Sequence, residues 1–121
     1  MKVVRLTEIP KIAEHAYRTV FTGTDASVQH IFPESRDYRI ANMNFGKGVR
    51  NKFHTHSDDQ ILIVSSGRGI VATENEEKVV TEGDIILFPA GEKHWHGATK
   101  DSEFAHIFVL LKHTVLTQLE D

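Results

Sequence analysis

The sequence predicts an all-β fold, a sandwich or barrel of short antiparallel strands. Short runs rich in Val, Ile and Phe recur between turn signals. At 121 residues with 40% hydrophobic content the chain is long enough for one cored domain and too short for two. No Pro/Ser linker, low-complexity tract or break in composition interrupts it, so residues 1–121 read as a single domain.

The elements follow in chain order. Residues 1–20 are ambiguous: Leu6, Ile9, Ile12, Ala13 and Ala16 fit a helix loosely, and Pro10 argues against it. YRIANMNF (38–45) alternates Ala41, Met43 and Phe45 against Ile40, Asn42 and Asn44, and Gly46 and Gly48 end it. If the first set faces inward, it lines an apolar pocket. QILIVSS (60–66) is stopped by Gly67-Arg68-Gly69, and Ile70–Thr73 resumes before an acidic hairpin tip at Glu74, Glu76 and Glu77. KVVT is closed by Glu82-Gly83, and DIILF by Pro89-Ala90-Gly91, where Pro89 cannot donate to a ladder. FAHIFVLL (104–111) is the last clear strand; the tail from Lys112 suits an edge strand or a short helix.

Composition removes several function classes. A net charge of −3 and a pI near 6.2 carry no basic excess, which disfavours nucleic acid as a partner. Charges at Lys2, Arg5, Glu8 and Lys11 break the N-terminal apolar run, so it reads as neither signal peptide nor membrane span. A soluble, cytoplasmic protein with no membrane partner is expected. The absence of cysteine removes thiolate nucleophiles, disulfides and Cys-type zinc sites. Neither Ser65 nor Ser66 has a nucleophile-elbow context.

Eight histidines are a rich supply for this length. In a strand alternate side chains share a face, so His54 and His56 can converge on one ion, with Gln60 close behind them. PAGEKHWHGA holds a second pair, His94 and His96, after a Pro-x-Gly turn able to deliver one of them against the first. Neutral imidazole is the commonest protein ligand for first-row metals, and three with one oxygen suit Mn, Fe, Ni, Cu or Zn. An HTH pair alone is as often a plain surface or core pair; the second cluster is what favours a divalent transition metal. Asp58 and Asp59, an aspartate pair in a turn, read as solvated, and His15, His30 and His113 as surface residues.

These residues spell a family. Gly48, five residues, His54-x-His56, three residues, Gln60, six residues and Gly67 resemble the first cupin motif. Gly83, five residues, Pro89-x-Gly91, two residues and His94 resemble the second. With the strand pattern they cover about residues 38–110. The resemblance implies a cupin-type jelly-roll β-barrel with one metal inside. Two positions depart from the family pattern: Gln60 stands where an acidic ligand is usual, and Ala98 where Asn is common. More narrowly, FTGT (21–24), HTH with Gln60, PAGEKHWHGA and Ala105-His106 resemble the bacterial cupin hydroxynitrile lyases and their uncharacterised relatives. That resemblance implies metal ligands His54, His56, Gln60 and His94, manganese as the metal, and His106 as acid/base.

Gln60 sharpens the chemistry. A glutamate would cancel one unit of the metal's charge, whereas a glutamine carbonyl leaves a dication that favours bound anions such as an alkoxide, enolate or cyanide. This favours non-redox chemistry over oxygen activation. His106 shares a face with Phe104, Phe108 and Leu110, where a histidine is more often a buried structural residue; facing the metal, it would be a neutral base. His96 is a second candidate facing the substrate. Trp95, on the opposite face, reads as packing, and Lys93 as an exposed lysine.

Three functions fit. The first is a lyase or isomerase acting on a small, mostly neutral carbonyl or hydroxyl compound. The second is a cupin dioxygenase, and the third a non-catalytic small-molecule-binding cupin. A homodimer that covers unpaired strand edges is expected.

Overall fold

The alternation in YRIANMNF builds the wall on which the rest of the molecule is laid. The structure is a computed structural model that describes residues 1–14 and 18–121, so His15 and Ala16 lie outside the described residues. Its strands are β1 (Ile12–Ala13), β2 (Ala26–Ile31), β3 (Tyr38–Phe45), β4 (His54–His56), β5 (Gln60–Thr73), β6 (Glu77–Thr81), β7 (Ile85–Phe88), β8 (His94–Ala98), β9 (Phe104–Leu111) and β10 (Leu116–Gln118). Every described pairing between them is antiparallel.

The strands curl into two facing sheets joined through β5. In the first, β1, β2, β3, β9 and the first half of β5 lie side by side, with β7 on the far edge. In the second, the latter half of β5 pairs with β6 and β8, and β4 and β10 follow. This is an all-β jelly roll. Its core gathers Phe45, Phe104, Leu62 and Val64 from the inward faces, with the Phe45 and Phe104 rings stacked at 5.8 Å. Ala41, Met43 and Phe45 do face inward and are buried.

β5 corrects one expectation. The Gly-Arg-Gly stretch does not end the strand; it is the corner at which one 14-residue strand leaves the first sheet for the second. A register shift falls between Val64 and Ser66, and Gly67 has φ +74°, a left-handed conformation that side-chain-bearing residues avoid. Its missing Cβ also lets the backbone lie against the Glu103 carbonyl.

Both termini are extended. The N-terminal segment has a 3-10 turn at Leu6–Glu8 and then the short β1, not a helix through residues 6–13. It is tied down by Gln29, whose Nε2 donates to the carbonyls of Leu6 (3.0 Å) and Ile9 (2.9 Å). Gln29 belongs to β2, a strand the sequence reading did not anticipate. Its Oε1 accepts from Asn42 (2.8 Å) and Asn44 (3.1 Å), so the buried polar groups of this outer face satisfy one another. At the other end, the tail is the edge strand β10. It is pinned by Glu120, which pairs with Arg50 at 2.8 Å and accepts from the Phe53 N–H at 2.8 Å. Among the described residues, no helix is long and apolar enough to cross a membrane.

Candidate metal centre

β4 and β8 meet at one cross-strand pair, His54 opposite His94, which sets the two imidazoles side by side with ring centroids 4.4 Å apart. Strand parity puts His56 on the same face, its ring 5.0 Å from that of His54. One ring nitrogen from each of the three lies within 4.8 Å of the others, and all three residues are buried. Gln60 arrives from the first sheet. It opposes Phe88 across β5 and β7; the Phe88 ring stacks on His94 at 3.9 Å, and Gln60 Oε1 lies 3.3 Å from His94 Nε2.

The donor set fits a divalent metal. His54 Nδ1–H donates to the Lys52 carbonyl at 2.6 Å and His94 Nδ1–H to the Glu92 carbonyl at 2.7 Å, which fixes each tautomer with Nε2 as a bare lone pair. His94 Nε2 and Gln60 Oε1 therefore face each other as two acceptors, an arrangement that a cation between them would relieve. Both ring nitrogens of His56 are buried without a hydrogen-bond partner. Burial also keeps the imidazoles neutral. It lowers the pKa of His54, and with neighbouring histidines takes His56 to about 3 and His94 to about 4.

His96 and His106 complete the cluster. His96 Nδ1 and Nε2 both lie 3.4 Å from the Asn51 side-chain amide, and its backbone N–H donates to Asn51 Oδ1 at 2.8 Å. Its ring meets His106 edge-on at 4.7 Å. His106, between Met43 on β3 and Val64 on β5, is fully enclosed, with both ring nitrogens unpartnered. Burial pushes its pKa down to about 3 and that of His96 well below the usual imidazole value.

His54, His56, Gln60, His96 and His106 open onto one cavity of about 470 Å³. Asp58 and Asp59 are engaged elsewhere: Asp58 accepts from Thr114 Oγ1 at 3.0 Å and Asp59 from the Ala90 N–H at 2.9 Å. Trp95 lies under the Arg50 guanidinium at 4.4 Å, and Lys93 sits over Phe53 at 5.0 Å, both away from the cavity lining. His30 and His113 are exposed, although His30 also borders the cavity. The sequence reading missed Asn51 and Arg39, which both line it. The parity of Ala41, Met43 and Phe45 reaches back to Arg39; nothing local marks Asn51.

The cupin domain family matches residues 41–110, more than half of the chain and both histidine clusters. The (R)-mandelonitrile lyase of Granulicella tundricola is 35% identical over 92 residues, 74% of this chain and 70% of that one. An acireductone dioxygenase of Parasynechococcus marenigrum is 34% identical over 56 residues, 40% of this chain and 30% of that relative's length. A cupin-like protein of Thermotoga maritima superposes with a TM-score of 0.80 at 25% identity, covering 90% of this chain and 84% of that one. The motif spacing, the two-sheet barrel and these likenesses agree, and the chain belongs to the cupin superfamily.

Proposed function

We propose that this cupin is a metal-dependent lyase or isomerase, hydroxynitrile-lyase-like, acting on a small carbonyl or hydroxyl compound. The observation that carries the reading is the wholly neutral donor set, three buried histidines and a glutamine carbonyl, beside a buried histidine with two unpartnered nitrogens. His54, His56, Gln60 and His94 would hold the metal, manganese by the resemblance. When bound, it supplies Lewis-acid stabilisation of negative charge on a substrate oxygen.

The chain's own residues do the rest. Met43 and Phe108 receive the apolar part of the substrate, and the enclosing core excludes water from the reacting end. Neutral His106 accepts the substrate hydroxyl proton at a ring nitrogen. In a cyanohydrin the carbon–nitrile bond then breaks, the carbonyl forms and cyanide leaves. The burial that keeps His106 neutral makes its protonated ring costly, which favours passing that proton to the cyanide. Similarity to the Granulicella lyase supports this choice of reaction.

Metal analysis of protein purified without added metal, followed by turnover of a panel of mandelonitrile-like cyanohydrins, tests the proposal. A co-purifying or loadable transition metal is expected, with kcat/KM falling by about 10²–10⁴ in His106→Ala. No loadable metal, or full activity in His106→Ala, would overturn it. The partial likeness to acireductone dioxygenase supports a second reading, a dioxygenase on the same ligands. Oxygen uptake with enediol substrates, without cyanohydrin cleavage, would select that reading.

A further inference from the structure

We infer that the outer face of the first sheet is the surface on which a second copy of this chain docks, closing a two-fold dimer directly behind the candidate metal centre. The interface lies on a sheet face, where the sequence suggested strand edges.

The strands themselves call for a cover. A sheet with one face in water alternates apolar and polar residues, whereas a run apolar at both parities belongs to a strand buried on both faces. Ile61–Val64 on β5, Ile85–Phe88 on β7 and Ile107–Leu111 on β9 are apolar at every position. Their inward residues, among them Leu62, Phe88 and Phe108, fill the core. The register sets the outward ones in rows: Leu87, Ile61, Val109 and Ile40 side by side, then Ile85, Ile63 and Ile107. Tyr38 opposite Leu111 adds a third row at the other end of β3 and β9. Ile85 is 71% exposed, Leu87 57% and Ile61 39%. On β3 the row of Ile107 ends at Asn42, where the polar network begins and the N-terminal segment crosses the face, held at its Leu6 and Ile9 carbonyls by Gln29. The chain thus covers the polar side of this face itself and leaves the apolar side bare.

Size and charge name the occupant. The nine outward positions of these rows, at roughly 4.8 Å between strands and 6.6 Å between alternate residues, cover on the order of 300 Å². That matches the apolar core of a standard interface, whose roughly 800 Å² per partner also includes a polar rim. None of the nine carries a charge, so the face does not repel its own copy and offers no charged group by which a different protein would be selected. Two-fold symmetry puts the same apolar core on both sides, and the two sheets then pack about 10 Å apart, as the halves of one core do. Among the described residues β7 pairs only with β5, and a closed dimer shields its free edge from open-ended pairing. Ile61 follows Gln60 and Leu87 precedes Phe88, so the docked face backs directly on the histidine cluster.

The test is sedimentation equilibrium of the full chain at micromolar concentrations, with circular dichroism reporting the fold of each variant. The unmodified chain is expected at twice its 13.7 kDa. The double variant Ile85→Lys/Leu87→Lys is expected as a monomer, its dissociation constant raised about a hundredfold or more by lysines buried without a partner on both sides of the axis. Val79→Lys changes a comparably exposed residue, 55% exposed on β6 of the second sheet, and is expected to leave the dimer intact. Leu87→Thr keeps a strand-forming residue and adds no charge, so it serves should the lysine variant fail to fold. It is expected to raise the dissociation constant about tenfold or more, because the lost apolar contact counts once for each copy. A monomeric unmodified chain overturns the inference, and so does a dimer that Leu87→Thr and the lysine variant both leave intact. Loss of the dimer in Val79→Lys alone would put the interface on the second sheet and overturns it equally. A monomer that floats with phosphatidylcholine vesicles would give the face to a lipid surface and also overturns it. Neither metal nor substrate enters the measurement, so this inference and the proposed function fail separately.

Discussion

At Gln60 a single atom would set the charge of the proposed metal centre. Its Oε1 lies 3.3 Å from His94 Nε2, so Gln60→Glu would place a carboxylate against the ligand nitrogens at almost unchanged volume. Opposite unit charges 4 Å apart attract by about 4 kcal/mol at an effective dielectric of 20, so metal affinity should rise about tenfold or more. Competition with a chelator of known affinity measures this, and weaker binding would argue against Gln60 as a ligand. The same substitution lowers the net charge presented to a bound anion, so cyanohydrin turnover is expected to fall while metal occupancy rises. Asn51 offers a second test at this scale. In Asn51→Ala the buried His96 N–H loses its acceptor, and a loss of about 1–3 kcal/mol is expected in urea unfolding. No change in the urea midpoint would mean that another group takes over that N–H.

Among the elements, β5 carries the architecture, because it joins both sheets and delivers Gln60 at its first residue. Gly67 makes its corner possible. Gly67→Ala should cost about 1–3 kcal/mol for the left-handed backbone alone, with a further penalty from crowding the Glu103 carbonyl. A lowered denaturant midpoint together with weakened metal binding is the expected result, since the strand that turns there also positions Gln60. A drop in stability with metal affinity intact would separate the corner from the centre. β4 and β8 do the complementary work: a cross-strand pair and strand parity bring three histidines together, and the carbonyls of Lys52 and Glu92 just before the two strands orient two of the rings.

For the whole molecule, the buried histidine cluster makes the metal-free protein sensitive to acid. His56 and His106 stay neutral in the folded state down to about pH 3 and His94 to about pH 4, whereas in the unfolded chain each takes up a proton below about 6.5. The unfolded state therefore binds more protons, and stability is fully present above that pH. It falls by about 1.4 kcal/mol per pH unit for each such histidine as the pH drops toward the folded values. Urea midpoints followed by circular dichroism from pH 8 to pH 4.5 should show this decline, and a flat profile would mean that the cluster is already protonated when folded. Metal should oppose it. Free metal at 100 times its Kd adds about 2.7 kcal/mol, so a chelator should lower the melting temperature by several degrees.

The strand β3 was legible because Ala41, Met43 and Phe45 alternate with Asn42 and Asn44, and β9 because FAHIFVLL is an almost unbroken apolar run of strand-forming residues. The two cupin motifs were legible because a ligand pair two residues apart needs only strand parity. β2 was not: ASVQHI carries Gln29 inside it, which looks polar locally and is buried with its amide satisfied by Asn42 and Asn44 across the sheet and by the Leu6 and Ile9 carbonyls of the distant N-terminal segment. The corner at Gly67 was read as a stop, since a glycine that ends a strand and one that bends it look alike until the partner strands are known. By itself, then, the sequence determined the fold class, the family and which histidines could act together. Only the tertiary structure decided that Gln60 Oε1 faces His94 Nε2, that the His106 ring is enclosed with neither nitrogen hydrogen-bonded, and that Asn51 and Arg39 line the same cavity. Those facts depend on registers between strands distant in the chain, and no local pattern of residues encodes a register.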